Sequence, residues 1–220
     1  INLGCYRDRA AGLDLPRLVR EAGAVPGLAR LRLSSIEINH VTGELEAALR
    51  ETPTVARHLH VPLQSGDDGV LRAMGRRYSS STFLRRLEPF DDFNLTTDVI
   101  VGFPAEDEAA FRRTLEVVGA AGVTKVHVFP YSPRPGTATA AADTVPLHVK
   151  RERGARLREA SRLASLARWR AKLGHEDVVL VDRPGRGYGD DYSPWLVDGS
   201  VGELVRVRGE EVTEEGIRAA

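Results

Sequence analysis

The residues best equipped for chemistry fall in short groups, each just past an apolar run. They are Asn2; then Ser34, Ser35 and Glu37; then Gln64 and Ser65; then Gly102; then Tyr131 and Ser132. Hydroxyls, amides and one carboxylate suit the holding of a ligand with several polar groups, because each offers a donor or acceptor. The sharpest group is Asp98-Val99-Ile100-Val101-Gly102-Phe103-Pro104-Ala105-Glu106. It runs as an apolar strand, breaks at glycine and opens onto acidic residues. In a barrel or doubly wound sheet, such an edge presents backbone to a ligand. An aldolase or isomerase would need a lysine or paired carboxylates at strand ends, and no such constellation occurs. Cys5 is the only cysteine. That excludes an intramolecular disulfide and any self-contained cysteine-ligated metal or iron–sulfur site. His58 and His60 read as strand residues that orient their neighbours, so no metal site is expected.

The elements that must position these groups alternate. Residues 1–4 read as the tail of a strand, followed by a loop through Gly12. Leu15, Leu18, Val19 and Ala22 have helical spacing, and Gly23 with Pro26-Gly27 closes that helix. Residues 31–37 alternate as a strand. Thr42 caps a helix over 44–50. Residues 58–64 form the next strand. Asp67 or Asp68 starts a helix carrying Val70, Leu71 and Met74, and a further helix runs from Ser79 to Leu87. Residues 94–101 are a strand and 104–121 a helix, with Glu106 to Glu108 at its positive end. Gly122 stops it, and 125–130 is a strand. Four strands alternating with helices, after a strand tail, predict a parallel sheet or barrel with all the polar groups on one rim.

Residues 131–143 form a loop rich in Pro, Gly, Ala and Thr. A long helix over 145–172 follows, with Leu157, Ala160, Ala164, Ala167 and Ala171 on its apolar face. From Asp177 the pattern becomes short strands separated by glycines, a small all-β barrel of the kind that holds single-stranded nucleic acid. Residues 148–172 hold nine Lys or Arg against two Glu, and 173–220 hold five Arg against eleven acids. The basic helix reads mainly as a solvated surface. The acidic tail is less expected of an RNA binder, since phosphate neutralisation drives RNA affinity. Over all 220 residues the formal charge is zero, with 42% hydrophobic and 28% charged residues, which describes a soluble chain with a core. No apolar run approaches the roughly 20 residues that span a bilayer, and no signal peptide is visible. A cytoplasmic chain with no membrane partner is expected. The abrupt start at Ile1 reads as the inside of a larger protein, a trimmed sequence being the other reading.

Three stretches in order carry a family resemblance. The first is His58-Leu59-His60-Val61-Pro62-Leu63-Gln64-Ser65-Gly66, running on through Met74 and Arg77-Tyr78. The second is Asp98 to Pro104 with Glu106. The third is Phe129-Pro130-Tyr131-Ser132-Pro133-Arg134-Pro135-Gly136-Thr137. Together they resemble the tRNA methylthiotransferase branch of the radical SAM enzymes, and the tail resembles that family's RNA-binding TRAM domain. The first and third stretches look most like the enzymes acting on threonylcarbamoyladenosine. Those acting on isopentenyladenosine or on a ribosomal protein rank second, and a non-catalytic RNA-binding module is the alternative of another class.

The resemblance implies an α/β fold: a partial (β/α)6 radical SAM barrel, incomplete at its N-terminus, over 1–145. A linking basic helix over 146–173 and a TRAM-like β-barrel over 174–220 complete it. It implies S-adenosylmethionine and two [4Fe–4S] clusters in the full-length protein, one held by three cysteines and cleaving S-adenosylmethionine, the other supplying sulfur to C2 of the adenine. The implied partners are the tRNA anticodon loop and an electron donor, with a monomeric enzyme. Carried over to this sequence, Ser35 and Glu37 serve the amino-acid and ribose groups of S-adenosylmethionine, and Gln64 and Ser65 its ribose. Ile100, Gly102 and Phe103 serve its adenine, Tyr131 and Ser132 close the site, and Arg134 meets substrate. The three-cysteine motif and the domain for the second cluster are absent, so no catalytic residue is assigned and this chain alone is expected to be inactive. Ala105, Ile38 and Thr139 also depart from the family's usual glycine, proline and alanine.

Overall fold

The structure, a computed structural model, describes residues 2–137, 139 and 142–219. Its first half is built on a parallel sheet of three strands, β3 (His58–His60), β4 (Asn94–Val101) and β5 (Val123–Pro130), in that order. Residues pair as His60↔Thr96 and Asp98↔His127, so all three strands end at one rim. Helices α1 (Leu15–Gly23), α2 (Gly43–Glu51), α3 (Asp68–Ala73), α4 (Ser80–Leu87) and α5 (Glu108–Ala120) lie in the connections. Each begins on a side chain that accepts an otherwise orphaned backbone N–H: Asp14, Thr42, Asp67, Ser79 and Asp107. Beneath the sheet, Val99, Val101, Phe83, Phe90, Phe93, Phe111 and Leu157 share one continuous core. Burial of such side chains is the main force holding strands and helices together.

Several expectations need correction. Residues 31–37 are extended but are not a sheet strand. They touch their neighbour at isolated points, with a bridge between Leu31 and Val55 and Ile36 N donating to His60 O at 3.1 Å. The expected strand over 58–64 stops at His60, because Pro62 has no N–H to give the ladder. Thr97 fills the gap from its side chain: its hydroxyl donates to Val61 O at 2.6 Å and accepts from Leu63 N at 2.8 Å. The chain start is a short 3-10 turn, Leu3–Cys5, joined by Leu3 N to Ser35 O at 2.9 Å, rather than a strand tail; Ile1 lies outside the described residues. The expected loop to Gly12 contains a small antiparallel pair, β1 (Arg7–Asp8) with β2 (Leu13–Asp14). Helix α5 begins at Glu108, not at Pro104, since Asp107 supplies the cap and Glu106 turns inward.

Helix α6 (Leu147–Arg170) packs along β5. Its inner face is Lys150, Arg153, Gly154, Leu157, Ser161 and Leu166, whereas Ala167 and Ala171 are exposed. Alanine spacing misled here because polar side chains on this helix have partners in the sheet. Ser161 Oγ accepts from Val126 N at 2.9 Å and donates to Thr124 O at 3.2 Å.

Strands β6 (Glu176–Arg183), β7 (Arg186–Tyr188), β8 (Pro194–Leu196), β9 (Leu204–Thr213) and β10 (Gly216–Ala219) close a barrel in the order β10-β8-β7-β6-β9. Alternate residues Val179, Val181, Trp195, Val207 and Ile217 fill it, and Trp169 of α6 packs against them. The barrel is fastened to the sheet's N-terminal end. Arg30 donates to the carbonyls of Val178, Tyr188 and Gly189 at 2.6–3.0 Å. Asp191, 4% exposed, pairs with Arg168 at 2.8 Å and Lys172 at 3.1 Å. Its carbonyl accepts from Asn94 Nδ2 at 2.9 Å.

Candidate functional site

The rim at the C-terminal ends of the strands gathers most of the residues expected there. Gln64 holds a left-handed backbone with φ 66°, an unusual state for a side chain other than Asn, Asp or Gly. Its backbone is locked there: Gln64 N donates to Asp98 O at 2.8 Å and Gln64 O accepts from Ile100 N at 2.9 Å. Its neighbour Leu63 is pinned as well, its carbonyl accepting from Tyr78 Oη at 3.0 Å. Strain of this kind, of order 1–2 kcal/mol, persists where a position is over-determined and often marks function. Beside it, Ile100 is half-buried on the same rim.

Gly102 turns β4 with φ 75°, and a Cβ there would stand 2.3 Å from Lys150 Cγ. Its N–H donates to Glu106 Oε1 at 2.7 Å. Glu106 is 4% exposed and also meets Arg153 Nη1 at 2.7 Å. Burial pushes the Glu106 carboxyl up, and the Gly102 amide and Arg153 oppose that. Lys150, also buried, donates to Tyr131 O at 3.0 Å and to Asp143 Oδ1 at 2.5 Å. Two cations of α6 therefore brace the ends of β4 and β5 from below. The reading of this helix as a solvated basic surface fails at these two residues. The signal available in the sequence was their 3-residue spacing, shared with Leu157 four further on.

The rim also gathers Glu37, whose carboxylate meets Arg76 at 3.2 Å and Asn2 Nδ2 at 3.5 Å. Asn2 Oδ1 accepts from Glu37 N at 3.0 Å, so Asn2 ties the chain start to this edge. Ser35 is half-buried nearby. Three expected contacts are taken up in the fold. Ser65 is 0% exposed; its hydroxyl accepts from Asp67 N at 3.2 Å and lies 3.4 Å from Thr114 Oγ1, so it is not open to a ligand. The Gly102 amide is spent on Glu106. Phe103, 6% exposed, packs edge-on to Tyr131 at 5.2 Å and against Val70 and Ala110. Tyr131 Oη donates to Thr139 O at 2.9 Å. Ser132 and Arg134 lie exposed on the following loop. The Arg134 carbonyl accepts from Thr137 Oγ1 at 2.8 Å.

A ligand with adenosine and amino-acid ends fits this rim in part: Gln64, Ile100, Glu37 and Ser35 remain open to it. An iron–sulfur cluster does not fit. Cys5 is exposed and is the only thiol, whereas a cluster takes several cysteines.

A cavity of about 860 Å³ lies elsewhere, between the concave face of the sheet and the β-barrel. Of the ten expected site residues only Ser35 lines it. Its floor is a polar row. Thr96 Oγ1 lies 3.1 Å from His58 Nε2 and 2.9 Å from His60 Nδ1, and His60 Nε2 is 3.3 Å from Asp98 Oδ1. Desolvation, with Arg32 and His60, lowers His58 to about 4, so its imidazole is neutral. Nδ1 of His58 has no partner among the described residues although the residue is 3% exposed. His60, Asp98 and His127 bring ligand atoms within 4.8 Å of one another, the one metal-capable trio among the described residues. Burial, then Lys125 and His60, lower His127, so a neutral imidazole sits beside a cation. Strand alternation was the signal that could have found this row.

The family description "Radical SAM superfamily" matches residues 7–118, about half the chain. Threonylcarbamoyladenosine tRNA methylthiotransferase MtaB of Thermotoga maritima is 40% identical over 99% of this chain and 52% of that protein. A tRNA-2-methylthio-N(6)-dimethylallyladenosine synthase of Thermobifida fusca is 41% identical over 98% of this chain and 46% of its own length. One from Salinispora arenicola is 44% identical over 75% of this chain and 34% of its own length. The chain thus spans about half or less of the length of these curated relatives. A solved coproporphyrinogen III oxidase from Escherichia coli covers 64% of this chain and 32% of its own at 15% identity and TM-score 0.44, too loose a likeness to argue from.

Proposed function

The chain belongs to the radical SAM superfamily, in its tRNA methylthiotransferase branch, and from that premise we propose that it is the S-adenosylmethionine-binding and RNA-facing part of an enzyme that methylthiolates an N6-substituted adenosine in tRNA. The observation that carries this reading is the strained Gln64 held against β4 beside Ile100, on a rim that also gathers Glu37. S-Adenosylmethionine bound there would supply the chemistry from two molecules, one giving its methyl group and the other, reductively cleaved to methionine, the hydrogen-abstracting group. The residues of this chain bind and orient. Gln64 and Ser35 offer polar groups to the ribose and amino-acid ends, and Ile100 is an apolar wall for the adenine. Glu106, Lys150 and Arg153 hold the turn at Gly102 rigid beneath it. Ser65, Gly102 and Phe103 act through the shape of this edge rather than through free side chains. In this reading Tyr131 and Ser132 border the site and the exposed Arg134 meets the substrate RNA.

The finer reading is threonylcarbamoyladenosine next to the anticodon as substrate, with a monomeric cytoplasmic enzyme and an external electron donor. The partial (β/α)6 barrel over 1–145, the linking helix over 146–173 and the TRAM-like barrel over 174–220 belong to the same reading. The clusters of the full-length protein find no ligand set here, so the chain alone would neither hold one nor cleave S-adenosylmethionine. Mass spectrometry of tRNA nucleosides from a deletion strain tests the function. Loss of 2-methylthio-threonylcarbamoyladenosine supports it. Loss of the dimethylallyl derivative instead transfers the assignment to the second substrate, which the relatives of that name favour. Unchanged methylthio content in tRNA leaves the ribosomal-protein reading and the non-catalytic RNA-binding reading.

A further inference from the structure

The concave face of the sheet is organised in levels. Period-2 alternation turns Thr96, Asp98 and Ile100 of β4 to one side, and Lys125, His127 and Phe129 of β5 with them. The register aligns these in pairs: Ile100 with Phe129, Asp98 with His127, and Thr96 with Lys125. Levels are two residues apart, about 6.5 Å. The first, next to the Gln64 rim, is apolar and its Phe129 is 50% exposed. The second combines a carboxylate and imidazoles, with the His60 and His127 rings 5.6 Å apart. The third carries Lys125, which has no ion-pair partner among the described residues and lines the cavity with His58, Thr96 and Asp98.

A ligand matched to this order has a flat base against the exposed Phe129, Ile100 being left to the adenine of S-adenosylmethionine, then a group with both N–H and C=O, then an anion. We propose that the concave face selects the substituent on N6 of the substrate adenine, Asp98 and His127 engaging a ureido group and Lys125 a terminal carboxylate. This rests on the reading of the substrate as an N6-substituted adenosine. From N6 to the carboxylate carbon a ureido-linked amino acid spans about 5 Å by ordinary bond lengths, and the flexible Lys125 stem covers the remaining step. Asp98 accepts the ureido N–H, and a neutral His127 donates to its carbonyl. A dimethylallyl group in the same place would leave three polar side chains facing hydrocarbon, which is how a site built for polar partners rejects an apolar analogue.

The test uses the full-length enzyme with its clusters reconstituted, on tRNA carrying threonylcarbamoyladenosine or its methyl ester at the same nucleotide. The reading is the ratio of kcat/KM, acid over ester, which cancels any general loss of folding or activity. Wild type should favour the acid about tenfold or more, the size expected for one partly solvated charge pair. Lys125→Met should bring the ratio close to one, and Lys125→Glu below one. A wild-type ratio near one, or a ratio that Lys125→Met leaves intact, overturns the inference while the function stands. An enzyme that methylthiolates dimethylallyladenosine but not threonylcarbamoyladenosine overturns both this inference and the finer substrate reading.

Discussion

Gly102→Ala probes the brace under the strand ends. An L-residue at φ 75° costs about 1–2 kcal/mol. The new methyl would stand 2.3 Å from Lys150 Cγ and 3.0 Å from its Cδ and Cε. Lys150 cannot simply swing away, because its ammonium is fixed to Tyr131 O and Asp143. Relieving such an overlap costs about 1–3 kcal/mol, so the total loss is about 2–5 kcal/mol. Lys150→Ala removes the colliding atoms but not the φ penalty. In a double-mutant cycle the pair should therefore be less destabilised than the two single losses together, by about 1–3 kcal/mol. Guanidinium unfolding followed by circular dichroism measures all four proteins. A Gly102→Ala loss under about 0.5 kcal/mol, or strict additivity in the cycle, refutes the collision and with it the role given to Lys150.

Gln64→Gly should relieve backbone strain and raise stability by up to about 1 kcal/mol, yet weaken S-adenosylmethionine binding by the full-length enzyme at least tenfold. Calorimetric titration showing unchanged affinity would remove Gln64 from the ligand site. Burial lowers His58 to about 4 from an ordinary 6.5. Between those values the unfolded chain binds more protons, so stability is full above pH 6.5 and falls as pH drops towards 4, by about 3 kcal/mol at most. His58→Gln should flatten that slope in urea midpoints taken across the window, and a slope that persists assigns it to another group. Burial raises Asp191, but Lys172 and Arg168 outweigh it and hold the carboxyl below 3.8. Its contribution is therefore present above pH 3.8 and lost on further acidification, and Asp191→Asn should erase that acid limb while loosening the β-barrel from the sheet, as read by hydrogen exchange at Asn94 and Arg57. Wild-type acid stability in the variant would contradict the pairing.

The sequence by itself determined the elements whose signals are local. Caps at Thr42 and Asp67, the apolar run of β4 and the glycine turns all act within a few residues, and each appears where its chemistry puts it. The three family stretches are local in the same sense, and so the superfamily was legible. What the tertiary structure decided is who meets whom across the fold. Glu106 looks like a first-turn acid of a helix until Arg153, 47 positions on, offers a buried partner. The alanine stripe of α6 looks apolar until Ser161, Lys150 and Arg153 find sheet carbonyls and carboxylates that cancel the cost of burying them. Residues 31–37 alternate like a strand, but a ladder needs a neighbour in register, and this one touches only at points. Ser65 reads as a ligand group because its type is right, and its hydroxyl is consumed by Asp67. The cavity lies over the polar row of the concave face because the β-barrel covers that end of the sheet, an arrangement fixed by Arg30 and Asp191 contacts between residues far apart in the chain.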